Sequence, residues 1–87
     1  MSKIKPAPLP PDTTIGGYRV IRRLSSGGFG VVYLAVDPEG KQVAIKEYLP
    51  SSLATRAPGE LLPKVPPEKL SLYRLGLKSF FEEGRAL

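Results

Sequence analysis

Apolar and polar positions alternate in three stretches of this chain and shift to a longer period at its end. Residues 18–24, Tyr18-Arg19-Val20-Ile21-Arg22-Arg23-Leu24, have the β-branched and aromatic content of a strand, and strict alternation assigns Tyr18, Val20, Arg22 and Leu24 to one face. Residues 31–36, Val31-Val32-Tyr33-Leu34-Ala35-Val36, predict a second strand, and residues 42–49 alternate as a third. Ser25 to Gly30 interrupts the first pair. Asp37-Pro38-Glu39-Gly40 joins the second pair with turn chemistry: Asp first, Pro with its φ preset second, Gly fourth. Three strands with short connections predict an antiparallel β-meander.

Prolines and glycines set the remaining boundaries. Residues 1–16 carry Pro6, Pro8, Pro10 and Pro11, end at Gly16-Gly17, and read as an extended, mobile lead-in to a domain spanning 17–87. Residues 50–66 hold Pro50, Pro58, Pro63 and Pro66 without a sustained period, which predicts a long loop of functional or mobile character. Residues 67–87 follow a helical period through Leu70, Tyr73, Leu77, Phe80, Phe81 and Leu87, opening on Pro67-Glu68, which suits a first turn. Gly76 and Gly84 fall near the apolar side, where they either permit close packing on the sheet or, at Gly76, split the helix in two. The predicted fold class is α+β, a meander with one C-terminal helix.

Composition narrows the chemistry. At 87 residues the chain makes one small domain. It contains no His, Cys, Asn or Trp, and its only aspartates are Asp12 and Asp37. Ser-His-Asp and Cys-His catalysis and imidazole or thiolate metal sites are excluded within it. The absence of cysteine fits a reducing compartment, and the chain is expected to be cytoplasmic, with no secretory signal or membrane segment. The net charge of +5 comes from scattered residues, with Arg22-Arg23 the longest basic cluster and no interleaved aromatic platform, so nucleic acid is not the expected partner.

Three segments carry chemistry. In Leu24-Ser25-Ser26-Gly27-Gly28-Phe29-Gly30-Val31-Val32, glycines let backbone N–H groups approach phosphate oxygens. A strand follows this loop where a dinucleotide fingerprint needs a helix, and Gly40-Lys41-Gln42 lacks the closing Ser or Thr of a P-loop. A glycine loop folded over a ligand between antiparallel strands remains, against the plain alternative of a turn. In Val43-Ala44-Ile45-Lys46 the alternation puts Ala44 and Lys46 on one face, leaving room for a flat ring beside a cation; the plain alternative is a solvated lysine. Glu83 falls at the edge of the helix's apolar side, with Ser79 and Leu87 as its i−4 and i+4 neighbours; the plain alternative is a surface carboxylate.

Taken in this order, the segments resemble the N-terminal lobe of a eukaryotic-like serine/threonine protein kinase of bacterial type, from about Tyr18 to Leu87. The resemblance rests on the glycine loop from Ser25 to Val32, on Val43-Ala44-Ile45-Lys46, and on Phe81-Glu82-Glu83-Gly84-Arg85-Ala86-Leu87. It implies an ATP site in which Ser25, Ser26, Gly27, Gly28, Phe29, Gly30 and Val31 cover the phosphates, while Leu24, Val32 and Ala44 frame the adenine. Lys46 then holds the α- and β-phosphates and is itself held by Glu83. The family's first loop glycine is replaced here by Ser25.

The resemblance also implies parts that this sequence lacks. A kinase needs a catalytic-loop Asp, an Asn and a second Asp for Mg²⁺, and neither Asp12 nor Asp37 stands in a suitable context. The chain is therefore expected to be a truncated kinase: ATP and Mg²⁺ are cofactors of the parent, the metal ligands lie outside, and the 87 residues alone are inactive. Apolar surface meant for the missing C-lobe is expected to drive homo-oligomers. A pseudokinase and a non-enzymatic protein-interaction module are the alternatives.

Overall fold

The structure, a computed structural model, describes the backbone of residues 6–84 and the side chains of residues 6–79. Four antiparallel strands lie in sequence order: β1 (Thr14–Ile15), β2 (Tyr18–Ser26), β3 (Gly30–Val36) and β4 (Gln42–Tyr48). A 3₁₀ turn at Pro67–Lys69 leads into α1 (Leu70–Gly84). The α+β meander is as the alternation predicts. The short edge strand β1 is additional, joined to β2 through Gly16 and Gly17, whose φ values of 53° and 88° give the doubly left-handed turn that suits a tight hairpin. No described helix is long and apolar enough to cross a membrane.

Register decides which residues face the core. Val31, Tyr33 and Ala35 alternate into it from β3, and Ile45 joins from β4. The alternate residues Val32 and Leu34, paired with Lys46 and Ala44 respectively, project from the other face, because paired residues of adjacent strands point the same way. The single-face assignment for β2 fails. Val20 pairs with Ala35 on the core face, but a register shift follows, so that Arg22 pairs with Leu34 on the opposite one. A second shift between Arg23 and Ser25 leaves Leu24 unpaired. Each extra residue breaks the two-residue period that strict alternation assumes.

The core is closed by segments that the sequence offered only as lead-in and loop. Residues 6–13 lie against the sheet and are not a free extension: Leu9 is buried beside Val20, Val31, Tyr33, Leu49 and Ala54. The Ala7 N–H donates to the Arg56 carbonyl at 2.8 Å, and Val20 N–H to Thr13 at 2.8 Å. Loop 50–66 has structure too. Ala54 N–H bonds Pro50 at 2.9 Å, closing a turn, and Thr55 pairs with Lys64 across an isolated bridge. Helix α1 is continuous through Gly76. Tyr48 occupies the space where a side chain at position 76 would sit, and its ring lies 5.2 Å from that of Tyr73.

At the centre stands Arg56, 1% exposed. Its Nη1 and Nη2 donate to the two carboxylate oxygens of Glu47 at 2.7 and 2.8 Å, a bidentate pair. Nε bonds the Ala7 carbonyl at 2.9 Å, Nη1 also reaches the Leu61 carbonyl at 3.2 Å, and Nη2 reaches the Tyr33 hydroxyl at 3.3 Å. A guanidinium has five N–H donors, and every one is used. Tyr33 in turn donates to Glu47 at 2.6 Å and accepts the Leu9 N–H at 2.9 Å. Among the described residues no buried side-chain polar atom is left unsatisfied.

Burial, followed by the hydrogen bond to Glu47, pushes the Tyr33 phenol up to about 12 from 10.0. The hydrogen bonds to Glu47 hold Arg56 still more firmly protonated than an ordinary guanidinium. A phenol whose folded-state pKa is raised contributes stability in full below its unfolded value and loses it as pH climbs through the folded one. We expect ultraviolet titration of the four tyrosines to show a late ionisation near pH 12 that Tyr33→Phe removes, and the pH 10–12 loss of thermal stability to be smaller in that variant. An unchanged late step in Tyr33→Phe would assign the shift elsewhere.

Candidate nucleotide-binding face

The polar face of the sheet gathers most of the residues singled out in the sequence. Across β2, β3 and β4 the register makes one row of Ser25, Val32 and Lys46 and a second of Arg22, Leu34 and Ala44. With adjacent strands about 4.8 Å apart, the backbones of Ser25 and Lys46 stand roughly 10 Å from each other, with Val32 between them. Ala44 and Lys46 are exposed and Val32 is half-buried. Leu24, at the second register shift, is exposed between the two rows. This is an open platform; one cleft of about 320 Å³ is lined by Ser26, Gly27, Gly28 and Gly30 and another of about 460 Å³ reaches Lys46, and neither is lined by Val32 or Ala44.

The glycine loop forms the turn between β2 and β3. Gly27 N–H donates to the Gly30 carbonyl at 2.9 Å. The next two carbonyls are tied to the far end of β4: Phe29 accepts from Leu49 N–H at 2.9 Å and Gly28 from Ser51 N–H at 3.1 Å. The N–H groups of Gly28 and Phe29 have no backbone acceptor among the described residues. Such free, clustered donors suit an anion. Phe29 itself is 77% exposed at the tip. Ser26 accepts a hydrogen bond from Arg23 at 3.1 Å on the exposed side of the loop.

The glycines are there for different reasons. At Gly30 a Cβ would run into the Glu47 carbonyl oxygen, so packing alone demands glycine. At Gly27 and Gly28 a Cβ meets nothing within 4 Å, and neither has the left-handed backbone that favours glycine. Among the described residues no packing contact calls for their small size, which leaves the loop approachable from outside. Val31 differs from its neighbours: its side chain turns into the core, so only its backbone belongs to the loop.

Lys46 projects from β4 with no carboxylate within salt-bridge distance among the described residues. The other half of the expected pair, the Glu83 side chain, lies outside the described residues, although helical backbone reaches Gly84. Those residues contain no cluster of three His, Cys, Asp or Glu side chains able to hold a metal ion. The sequence reading missed the roles of Arg56, Leu49 and Ser51. One signal was present: Glu47 alternates with Ile45, which puts a carboxylate on the core face and calls for a buried cation. Nothing local marks Arg56 as that cation.

Comparison with known proteins fits this geometry. No family model matches the chain. A 36-residue stretch, 41% of the chain, is 50% identical to the probable serine/threonine-protein kinase PkwA of Thermomonospora curvata, of which it covers 5%. A 51-residue stretch, 59% of the chain, is 37% identical to the calcium/calmodulin-dependent protein kinase kinase cmkC of Emericella nidulans, of which it covers 10%. The fold matches the apo form of PpkA-294 with a TM-score of 0.81 and 34% identity, over 90% of this chain and 28% of that one. Fold and sequence are both similar to the N-terminal lobe of serine/threonine protein kinases. The chain spans a small part of each relative it matches.

Two alanine substitutions separate packing from approachability. We expect Gly30→Ala to cost about 1–3 kcal/mol in urea unfolding, because backbone must give way. Gly28→Ala should stay within about 0.5 kcal/mol of the parent. Equal losses would mean that both glycines are structural.

Proposed function

We propose that this chain forms the ATP-covering part of a cytoplasmic serine/threonine protein kinase whose intact form transfers the ATP γ-phosphate to protein hydroxyls. The observation that supports it most is the placement of Val32, Ala44 and Lys46 on one open face, next to a glycine turn with free N–H groups. On this reading Leu24, Val32 and Ala44 receive the adenine. Ser25 to Gly30, with the Val31 backbone, cover the phosphates. Lys46 neutralises the α- and β-phosphates. Mg²⁺ would supply further neutralisation of phosphate charge, held by ligands on another part of the parent.

Phosphoryl transfer gains most from positioning and charge neutralisation, and an ammonium on four methylenes positions little until a carboxylate fixes it. Glu83 is assigned that task. It falls in the last turn of α1, the helix whose Gly76 packs against Tyr48 at the end of β4. Movement of α1 would then join or separate the pair, giving the parent an active and an inactive arrangement.

The lysine is exposed and unpaired within the described residues, so its removal tests chemistry and not folding. In the intact kinase Lys46→Met should abolish measurable phosphate transfer while leaving the unfolding midpoint near that of the parent. Near-parental rates would remove Lys46 from its role. The 87-residue chain alone should show no transfer to a generic protein substrate and should self-associate through exposed Leu61, Leu62, Leu72 and Leu75. Transfer by the purified chain, or a clean monomer by light scattering at high concentration, would contradict these two expectations.

A further inference from the structure

The glycine loop and the strand carrying Lys46 are connected by a route that no motif announces. Loop 50–66 leaves β4 at Leu49 and immediately ties back the glycine turn, through Leu49 N–H to Phe29 and Ser51 N–H to Gly28. The chain then turns at Pro50, with Leu53 N–H and Ala54 N–H both donating to the Pro50 carbonyl at 3.0 and 2.9 Å. Two residues on, Arg56 returns to β4 and clamps both oxygens of Glu47, the neighbour of Lys46 in the strand. The segment from Glu47 to Arg56 is thus a closed loop, fastened at the guanidinium and carrying both tethers of the glycine turn.

Charge and geometry make this fastening stiff. The guanidinium is buried, all of its donors are engaged, and one of them also holds the Ala7 carbonyl of the lead-in. A planar fork on a carboxylate fixes orientation as well as distance, which a lysine in the same place would not do. Glu47 faces the core and Lys46 the opposite side, so holding one sets the strand orientation that presents the other.

We propose that Arg56 is a positioning residue for nucleotide binding: by clamping Glu47 it holds the tethered glycine turn and Lys46 in one fixed arrangement, making loop 50–66 a brace of the ATP site. Its nucleotide consequence rests on the kinase reading above; its mechanical part does not. The site is therefore preorganised by a segment that touches no ligand.

The test uses Arg56→Lys, which keeps the charge and loses the fork, with Glu47→Gln as a second variant that weakens the clamp from the other side. Amide hydrogen exchange in the 87-residue chain should accelerate about tenfold or more at Leu49 and Ser51, while the Asp37 amide, bonded to Lys41 at the opposite end of the β3–β4 hairpin, keeps its rate. Uniform acceleration at all three, or none, would overturn the brace, because simple destabilisation does not single out the tethers. In the intact kinase Arg56→Lys should raise KM for ATP several-fold with kcat close to parental. A lowered kcat at unchanged KM would overturn the positioning role. If Lys46→Met proves fully active, the kinase reading fails, and the exchange pattern still decides the brace.

Discussion

A guanidinium taken out of water must find an anion and acceptors for all its hydrogens, or the fold that buries it does not form. Arg56 meets that condition through Glu47, Tyr33 and two backbone carbonyls, and each partner comes from a different part of the chain. A buried ion pair of this kind adds little net stability over an apolar core. Breaking it by removing one partner costs about 3–5 kcal/mol, since a charge is left without compensation. Its contribution is to specificity of arrangement. Lead-in, sheet and loop 50–66 converge on a single side chain, so none of them settles into place independently.

With the core face closed in this way, the other face of the sheet is left open. β3 divides the work residue by residue: Val31, Tyr33 and Ala35 turn inward, while Val32 and Leu34 face outward with Ala44 and Lys46. A three-layer sandwich would have covered both faces. Here, among the described residues, one remains an open platform. Among the described residues, helix α1 meets the end of β4 through Tyr73 and the gap at Gly76, both against Tyr48.

The parts legible in the sequence are those whose cause is local. Alternation in β3 and β4 is enough to place Ala44 and Lys46 together, and the Asp37 turn follows from its own residues, with the Asp37 carboxylate accepting the N–H groups of Glu39 and Lys41 at 2.9 Å. Proline-rich composition predicts extension but says nothing of where an extended strand docks; Leu9 finds its place only because Tyr33 offers a hydroxyl 24 residues away. The two register shifts in β2 are equally silent, since Ile21 and Leu24 look like ordinary strand residues. Glu47 on the core face was the readable clue, and Arg56, in a loop without periodicity, was the unreadable answer.

The division of the sheet into a structural and a ligand-facing side is tested most directly by amide chemical-shift mapping of the chain titrated with Mg-ATP. Perturbations should concentrate at Gly27, Gly28, Val32, Ala44 and Lys46, on the open face and the turn beside it. Shifts confined to Leu9, Ile45 and Leu77, around the cleft on the core side, would place the nucleotide on the wrong face and contradict the account.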